Sequence, residues 1–218
     1  MSYRIEKAAV LGSGVMGSAI AAHLTNAGIR TVVLDIVPRE PNDAERARGL
    51  TLEHPAVRNR IASEALDRAV KARPAPFFHP SYRSGVEVGN FEDDWDKIAD
   101  ADWIIGVSKE DLDIKRKVFA QVAEHRRPGS IVTSNTSGIS IAAMAEALDD
   151  DFRKHFLCTH FFNPPRYLKL LEIIPGPDTD PGVLEAMATF VDVRLGKGVV
   201  VARDTPNFVG NRVGVFAM

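Results

Sequence analysis

Cysteine is almost absent. Cys158 is the one thiol in 218 residues, which excludes an intramolecular disulfide and a multi-cysteine zinc site and suits a reducing compartment, the cytoplasm. An excess of charge is missing too: 27 Lys and Arg against 29 Asp and Glu leave a formal net charge of -2. Nothing global therefore attracts nucleic acid or an anionic membrane. No apolar run reaches membrane-spanning length, and the opening MSYRIEKAAV puts charges where a signal peptide needs its apolar region. Repeats and low-complexity segments are lacking, and no pair of the six histidines has metal-ligand spacing beside a further ligand, so no metal is expected. The 45% of hydrophobic residues suffices for the core of one good-sized domain, or a domain with an appendage.

What is present is organised around AAVLGSGVMG, Ala8 to Gly17. The apolar run Ile5 to Leu11 reads as a buried strand, and three glycines follow it. Gly12 permits a tight turn, Gly14 lets a pyrophosphate approach the backbone, and Gly17 lets the next helix pack on the sheet. The amides around Val15 and Met16 and the positive end of that helix would hold the phosphates. Ile20, Leu24 and Ala27 recur at helical spacing, Asn26 and Gly28 end the helix, and TVVLDI, Thr31 to Ile36, is a second buried strand. Asp35 closes it, placed to accept from both adenosine ribose hydroxyls and to repel a 2′-phosphate, which points to NAD rather than NADP.

Pro38 to Asn90 reads as an insertion or an elaborated crossover. Leu50, Val57, Ile61, Leu66 and Val70 predict an amphipathic helix pair or one long helix between Asp43 and Lys71, with Arg58, Arg60, Arg68 and Lys71 on a solvated face. Strands follow at Val86 to Asn90, Asp102 to Val107 and Ile131 to Ser134, with a helix capped by Asp111 before the last of these. The loop NTSG, Asn135 to Gly138, lies at the carboxyl end of a strand, where open α/β sheets bind ligands. FLCTHFF and KLLEII read as two strands joined by a proline-rich turn, Thr179 or Asp180 opens a helix with Leu184, Met187, Phe190 and Val191 on its buried face, and Val199 to Val201 is a last strand. Asp204, Thr205 and Pro206 predict a final helix running to Met218. It ends without a cap, so the sequence is expected to be a piece of a longer chain. The expected fold is a doubly wound, mainly parallel α/β sheet of Rossmann type, its last strands changing order or direction. Residues 1–203 would form the dinucleotide-binding domain and 204–218 the start of a helical one.

A dehydrogenase needs a base as well as a cofactor. His160 ends an apolar strand, and Glu172 is an acid among apolar neighbours on the next one. If the two strands pair antiparallel, imidazole and carboxylate meet, and the Glu fixes the tautomer and raises the basicity. A strand-end histidine taken alone is more often structural. Cys158, two residues earlier, reads as a small hydrophobe. His23, His54, His79, His125 and His155 suggest no role.

Together the blocks VLGSGVMGSAIAAHLTNAG, EDLDIKRKVF, SNTSGISI, HFFNPP with LEII, and DTPNFVGNR resemble the 3-hydroxyacyl-CoA dehydrogenase family. The resemblance implies NAD-dependent oxidation of a (3S)-hydroxyacyl-CoA in fatty-acid β-oxidation. It makes His160 the general base, Glu172 its partner, Ser137 and Asn211 contacts to the substrate's reacting oxygen, and Glu110, Lys115 and Asn135 the lining of the nicotinamide half. It also implies a helical C-terminal domain that closes the acyl-CoA cleft and carries a homodimer contact, with weak or no turnover by this chain alone. The long 38–90 region is similar to that of larger multifunctional relatives. Two positions depart from the family pattern: Gly106 stands where a glutamate is common and Lys109 where an apolar residue is usual, which bears on the local cofactor geometry. A non-catalytic NAD-binding relative and a dehydrogenase for another β-hydroxy acid are the alternatives.

Overall fold

The structure is a computed structural model that describes residues 4–216. Its strands are β1 (Lys7–Leu11), β2 (Arg30–Asp35), β3 (Val86–Asn90), β4 (Trp103–Gly106), β5 (Ile131–Ser134), β6 (Phe156–Phe161), β7 (Leu170–Pro175) and β8 (Gly198–Val201). They form one sheet in the order β3-β2-β1-β4-β5-β6-β7-β8. The strands from β3 across to β6 pair in parallel, β7 runs antiparallel to β6, and β8 is parallel to β7. This is the expected Rossmann-type sheet, with its change of direction at β7. The order reverses between β1 and β4, and there the carboxyl ends of the strands open a crevice.

Parallel strands lie between two helical layers, so they read as unbroken apolar runs and bury alternate residues on opposite faces. Val10 and Ile105 meet Ile20 and Leu24 of α1 (Val15–Asn26), Leu66 of α4 (Arg60–Lys71), and Met187 and Val191 of α8 (Pro181–Leu195). Leu11 and Ile104 face the other layer, with Phe119 of α5 (Leu112–His125), Met144 of α6 (Ile141–Ala145) and Phe152 of α7 (Asp150–Lys154). Each fully buried Leu, Ile or Phe contributes roughly 1.5–3 kcal/mol. Within the sheet, Trp103 Nε1–H donates to Thr133 Oγ1 at 2.9 Å, which lies 2.9 Å from Thr159 Oγ1, whereas both ring nitrogens of the buried His23 lack a hydrogen-bond partner among the described residues. Val183, Met187, Val191 and Leu195 form the buried stripe of α8; Leu184 and Phe190, expected there, are only half-buried because the helix is turned toward that stripe.

The 38–90 region is a crossover, since it leads from β2 to its parallel neighbour β3. It holds two short α-helices, α2 (Asp43–Ala47) and α3 (Pro55–Arg58), then the three-turn α4 and a 3-10 turn at Pro80–Gly85, where a helix pair or one long helix was expected between Asp43 and Lys71. Gly49 at φ 69° ends the first and Pro55 starts the second afresh. Arg68 and Lys71 are exposed, as expected of a solvated face, but Arg58 and Arg60 are not part of one. Arg58 pairs with Glu92 at 2.7 Å and with Asp93, and Arg60 pairs with Glu45, so these cations are used in holding the crossover together. Phe77 is buried, whereas Phe78 is exposed beneath the Arg166 guanidinium, 4.6 Å from its ring centre.

The last helix, α9 (Gly210–Phe216), begins six residues later than Asp204. Asp204 bonds to α6 instead, and Asn207 and Phe208 take positive φ values of 63° and 46°, which interrupts a helix there. The expected end of the helix at Met218 lies outside the described residues.

Candidate active site

The glycine turn has the geometry its spacing suggested. Gly12 has φ 109°, and a Cβ on it would lie 2.7 Å from the Val107 carbonyl oxygen. A Cβ on Gly17 would lie 1.8 Å from the Gly12 carbonyl oxygen, so α1 sits on the turn with no room for a side chain. At Gly14 a Cβ would meet nothing within 4 Å, and the opening of α1 carries neither a side-chain cap nor an acid in its first turn. Open space against the positive end of a helix fits a pyrophosphate. Val15 is exposed and Met16 half-buried on that first turn. Asp35, at the end of β2, accepts from the Ser13 amide at 2.6 Å and from the Ser13 hydroxyl. These bonds fix the carboxylate against the turn, and Ser13 was not singled out from the sequence.

His160 and Glu172 stand opposite each other in the antiparallel β6–β7 register. His160 Nδ1 lies 2.7 Å from Glu172 Oε2, with His160 5% exposed and Glu172 fully buried. An ionised carboxylate only accepts, so Nδ1 carries the hydrogen and Nε2 the lone pair. The other carboxylate oxygen, Oε1, accepts from the amides of Val209 at 2.9 Å and Gly210 at 2.6 Å. Three charge-assisted hydrogen bonds compensate the burial of this acid. The imidazole packs against Phe162, with ring centres 4.5 Å apart and planes tilted, and edge-to-face with Phe208 at 5.8 Å. Phe162 in turn packs where a Cβ on Gly210 would be, 2.6 Å from its Cζ. Backbone amides leave no residue-type signal, which is why the sequence did not reveal 208–210 as part of this site.

The loop after β5 is tied to the same place. Asn135 Oδ1 accepts from the Phe161 amide at 2.9 Å, beside His160. Glu110 accepts from the Thr136 hydroxyl and, at 2.9 Å, from the Ser137 amide, while Lys115 Nζ reaches Glu110 at 3.1 Å and the Ser108 carbonyl at 3.2 Å. Burial opposes ionisation of Glu110, but Thr136 and the Lys115 ammonium outweigh it and hold the carboxyl below its usual range. Lys115 is 1% exposed, so it supports Glu110 from within. Ser137 is exposed on the loop, its Oγ 3.4 Å from Glu110. Asn211 is half-buried in the first turn of α9, next to the amide on Glu172.

Gly106 has a packing reason. A Cβ there would lie 2.8 Å from Phe119 Cζ, and Phe119 packs edge-on against Phe156 with ring centres 4.9 Å apart. Lys109 is exposed on the following loop. Burial pushes the Cys158 thiol well above its ordinary pKa, so it acts as a small apolar group. Among the described residues, no group of three or more His, Cys, Asp or Glu could hold a metal ion.

The family model for the 3-hydroxyacyl-CoA dehydrogenase NAD-binding domain matches residues 7–205. The chain belongs to this family. It is 55% identical over all 218 residues to a probable 3-hydroxyacyl-CoA dehydrogenase of Bacillus subtilis, covering 28% of that protein. It is 45% identical over 216 residues to one of Deinococcus radiodurans, spanning 99% of this chain and 58% of that one. The chain thus spans between about a quarter and three fifths of the length of these curated relatives. Among solved structures, (S)-3-hydroxybutyryl-CoA dehydrogenase of Ralstonia eutropha superposes with a TM-score of 0.72 at 26% identity, over 96% of this chain and 68% of that one. The 3-hydroxybutyryl-CoA dehydrogenase of Escherichia coli K12 gives 0.71 at 28%, over 97% and 41%. NAD is the cofactor of this domain family, and the open turn at Gly14 beside Asp35 fits it. No helix among the described residues is long and apolar enough to cross a membrane.

Proposed function

We propose that the whole protein oxidises a (3S)-hydroxyacyl-CoA to the 3-ketoacyl-CoA in fatty-acid β-oxidation, and that this chain supplies its cofactor domain and its base. The observation that carries the proposal is the buried 2.7 Å contact between His160 Nδ1 and Glu172 Oε2. NAD, when bound, accepts the hydride. Nε2 of His160 takes the proton of the substrate hydroxyl, and Glu172 stabilises the imidazolium that results. Ser137 and Asn211 donate to the reacting oxygen, while Glu110 and Asn135 line the nicotinamide half; Lys115, expected to line it too, is buried and instead holds Glu110 in place. Gly12, Gly14, Val15, Met16 and Gly17 hold the pyrophosphate, and Asp35 the adenosine ribose.

Residues 1–203 form the cofactor domain in this reading, and 204–218 open a helical domain that completes the acyl-CoA cleft. Turnover by the 218 residues alone is then weak or absent. A homodimer contact in that helical domain, which rests on the resemblance, and a cytoplasmic location, which rests on the single cysteine and the charged opening residues, belong to the same proposal. Gly106, the feature that favours a non-catalytic relative, is also accounted for by the Phe119 ring packed against it, which supports the catalytic reading over that alternative. NADH formation followed by absorbance in the whole protein, with acyl-CoA and free-acid substrates side by side, tests the proposal. Oxidation of the thioester is expected; activity on the free acid alone, or none at all with NADH still bound, overturns it.

A further inference from the structure

Asp204 was expected to open the last helix, and its carboxylate does something else. One oxygen, Oδ2, accepts from Ser140 Oγ at 2.8 Å, the Ile141 amide at 2.9 Å and the Ala142 amide at 3.2 Å. These atoms open α6, directly after the loop that carries Asn135 and Ser137. Five residues further along the chain, the Val209 and Gly210 amides bond to Glu172. The segment 204–210 is therefore a strap fastened at both ends, by a carboxylate to the Ser137 loop and by two amides to the carboxylate of the dyad. Between the fastenings, Asn207 and Phe208 hold positive φ values that L residues rarely adopt. Gly138 of the loop lies alongside, a Cβ on it 3.6 Å from Asn207 Oδ1. Phe208, 2% exposed, presents its edge to the His160 ring.

Two consecutive residues at positive φ persist only where their surroundings over-determine them. Asp204 supplies one half of that constraint and Glu172 the other. We propose that Asp204 is a positioning residue for the reaction: by tying the strap to α6 it fixes the distance between the Ser137 loop and the His160–Glu172 pair. Its carboxylate bonds to the opening of α6 and not to the His160–Glu172 pair, so it acts through Phe208 and the 209–210 amides. Without the carboxylate, the Ser140, Ile141 and Ala142 donors turn to water, the 207–208 backbone relaxes toward negative φ, and the two amides leave Glu172. The imidazole then loses a flank and a fixed partner together. The inference rests on the proposed role of His160, and its test separates the two.

The variants are Asp204→Ala, which removes the acceptor, and Asp204→Asn, which keeps the shape and loses the charge. In the 218-residue chain, the low-field proton resonance of the Nδ1–H···Oε2 bond reports the dyad directly, with circular dichroism confirming the fold. The expected result is loss or broadening of that resonance in the order Ala more than Asn, with NADH affinity close to wild type. In the whole protein, kcat should fall about tenfold to a hundredfold in Asp204→Ala, with a smaller change in KM. An unchanged resonance and unchanged kcat in a folded Asp204→Ala protein overturn the inference, even where its thermal stability falls. If the wild-type whole protein oxidises no hydroxyacyl-CoA, the proposed function fails while the resonance still decides the role of Asp204.

Discussion

Acid should destabilise this protein more than its carboxylates alone demand, because α1 buries a histidine in its uncharged form. His23 lies in the last turn of α1 and is 8% exposed. Burial above all, then the Lys197 ammonium and the Arg166 guanidinium, push its pKa from 6.5 down to about 4, against an opposing pull from the Leu195 carbonyl. Below pH 6.5 the unfolded chain binds a proton that the folded chain refuses until about pH 4. Stability is therefore whole above 6.5 and drains away as the pH falls through that window. At about 1.4 kcal/mol for each pH unit, the loss approaches roughly 3 kcal/mol, a large share of the stability of an ordinary domain. Urea unfolding by circular dichroism at pH 7 and pH 4 measures it. Glu110 and Asp151, whose carboxyls are held low, also lose stability in acid, so the comparison is with His23→Leu, which keeps those contributions and removes the imidazole. The variant should lose about 3 kcal/mol less than the wild type between the two pH values. Equal losses would show that His23 is not held neutral by its surroundings.

Two substitutions and one comparison of cofactors test the cofactor half. Gly17→Ala places a methyl 1.8 Å from the Gly12 carbonyl oxygen, so α1 must lift from the turn; NADH affinity measured by fluorescence titration should fall at least about tenfold, and wild-type affinity in a folded variant would contradict the packing argument. Calorimetry should find NADH bound more tightly than NADPH if Asp35 holds the adenosine ribose as proposed, because its carboxylate would repel a 2′-phosphate, and the reverse order would remove that role. Ser13→Ala frees the Asp35 carboxylate from its hydroxyl donor; a severalfold weaker NADH complex is expected, and an unchanged one would make the Ser13 contact incidental.

The sequence made most of the sheet legible because parallel strands buried on both faces leave short apolar runs between glycine and proline stops, as at Leu11 to Gly12 and Pro128 to Ile131. The dyad was legible for a related reason: a single proline-rich turn between FLCTHFF and KLLEII forces an antiparallel pair, and register then brings His160 to Glu172. The crossover helices were less so. Apolar spacing from Leu50 to Val70 fits one continuous helix, and only the positive φ of Gly49 and the restart at Pro55 decide that it is broken. The segment 204–210 was misread because Asp-Thr-Pro is a strong helix opening by local rules, and tertiary contacts overrule it. Nothing local could show that Asp204 would bond across to α6 or that bare amides would complete the site at Glu172.

His160, oriented by Glu172, is proposed here as the base of an NAD-dependent hydroxyacyl-CoA oxidation. The most direct test is His160→Gln in the whole protein, with kcat measured on a (3S)-hydroxyacyl-CoA and NADH affinity measured in parallel. The expected result is a loss in kcat of about a hundredfold or more with NADH affinity and fold retained. A folded His160→Gln protein that turns over at the wild-type rate would contradict it.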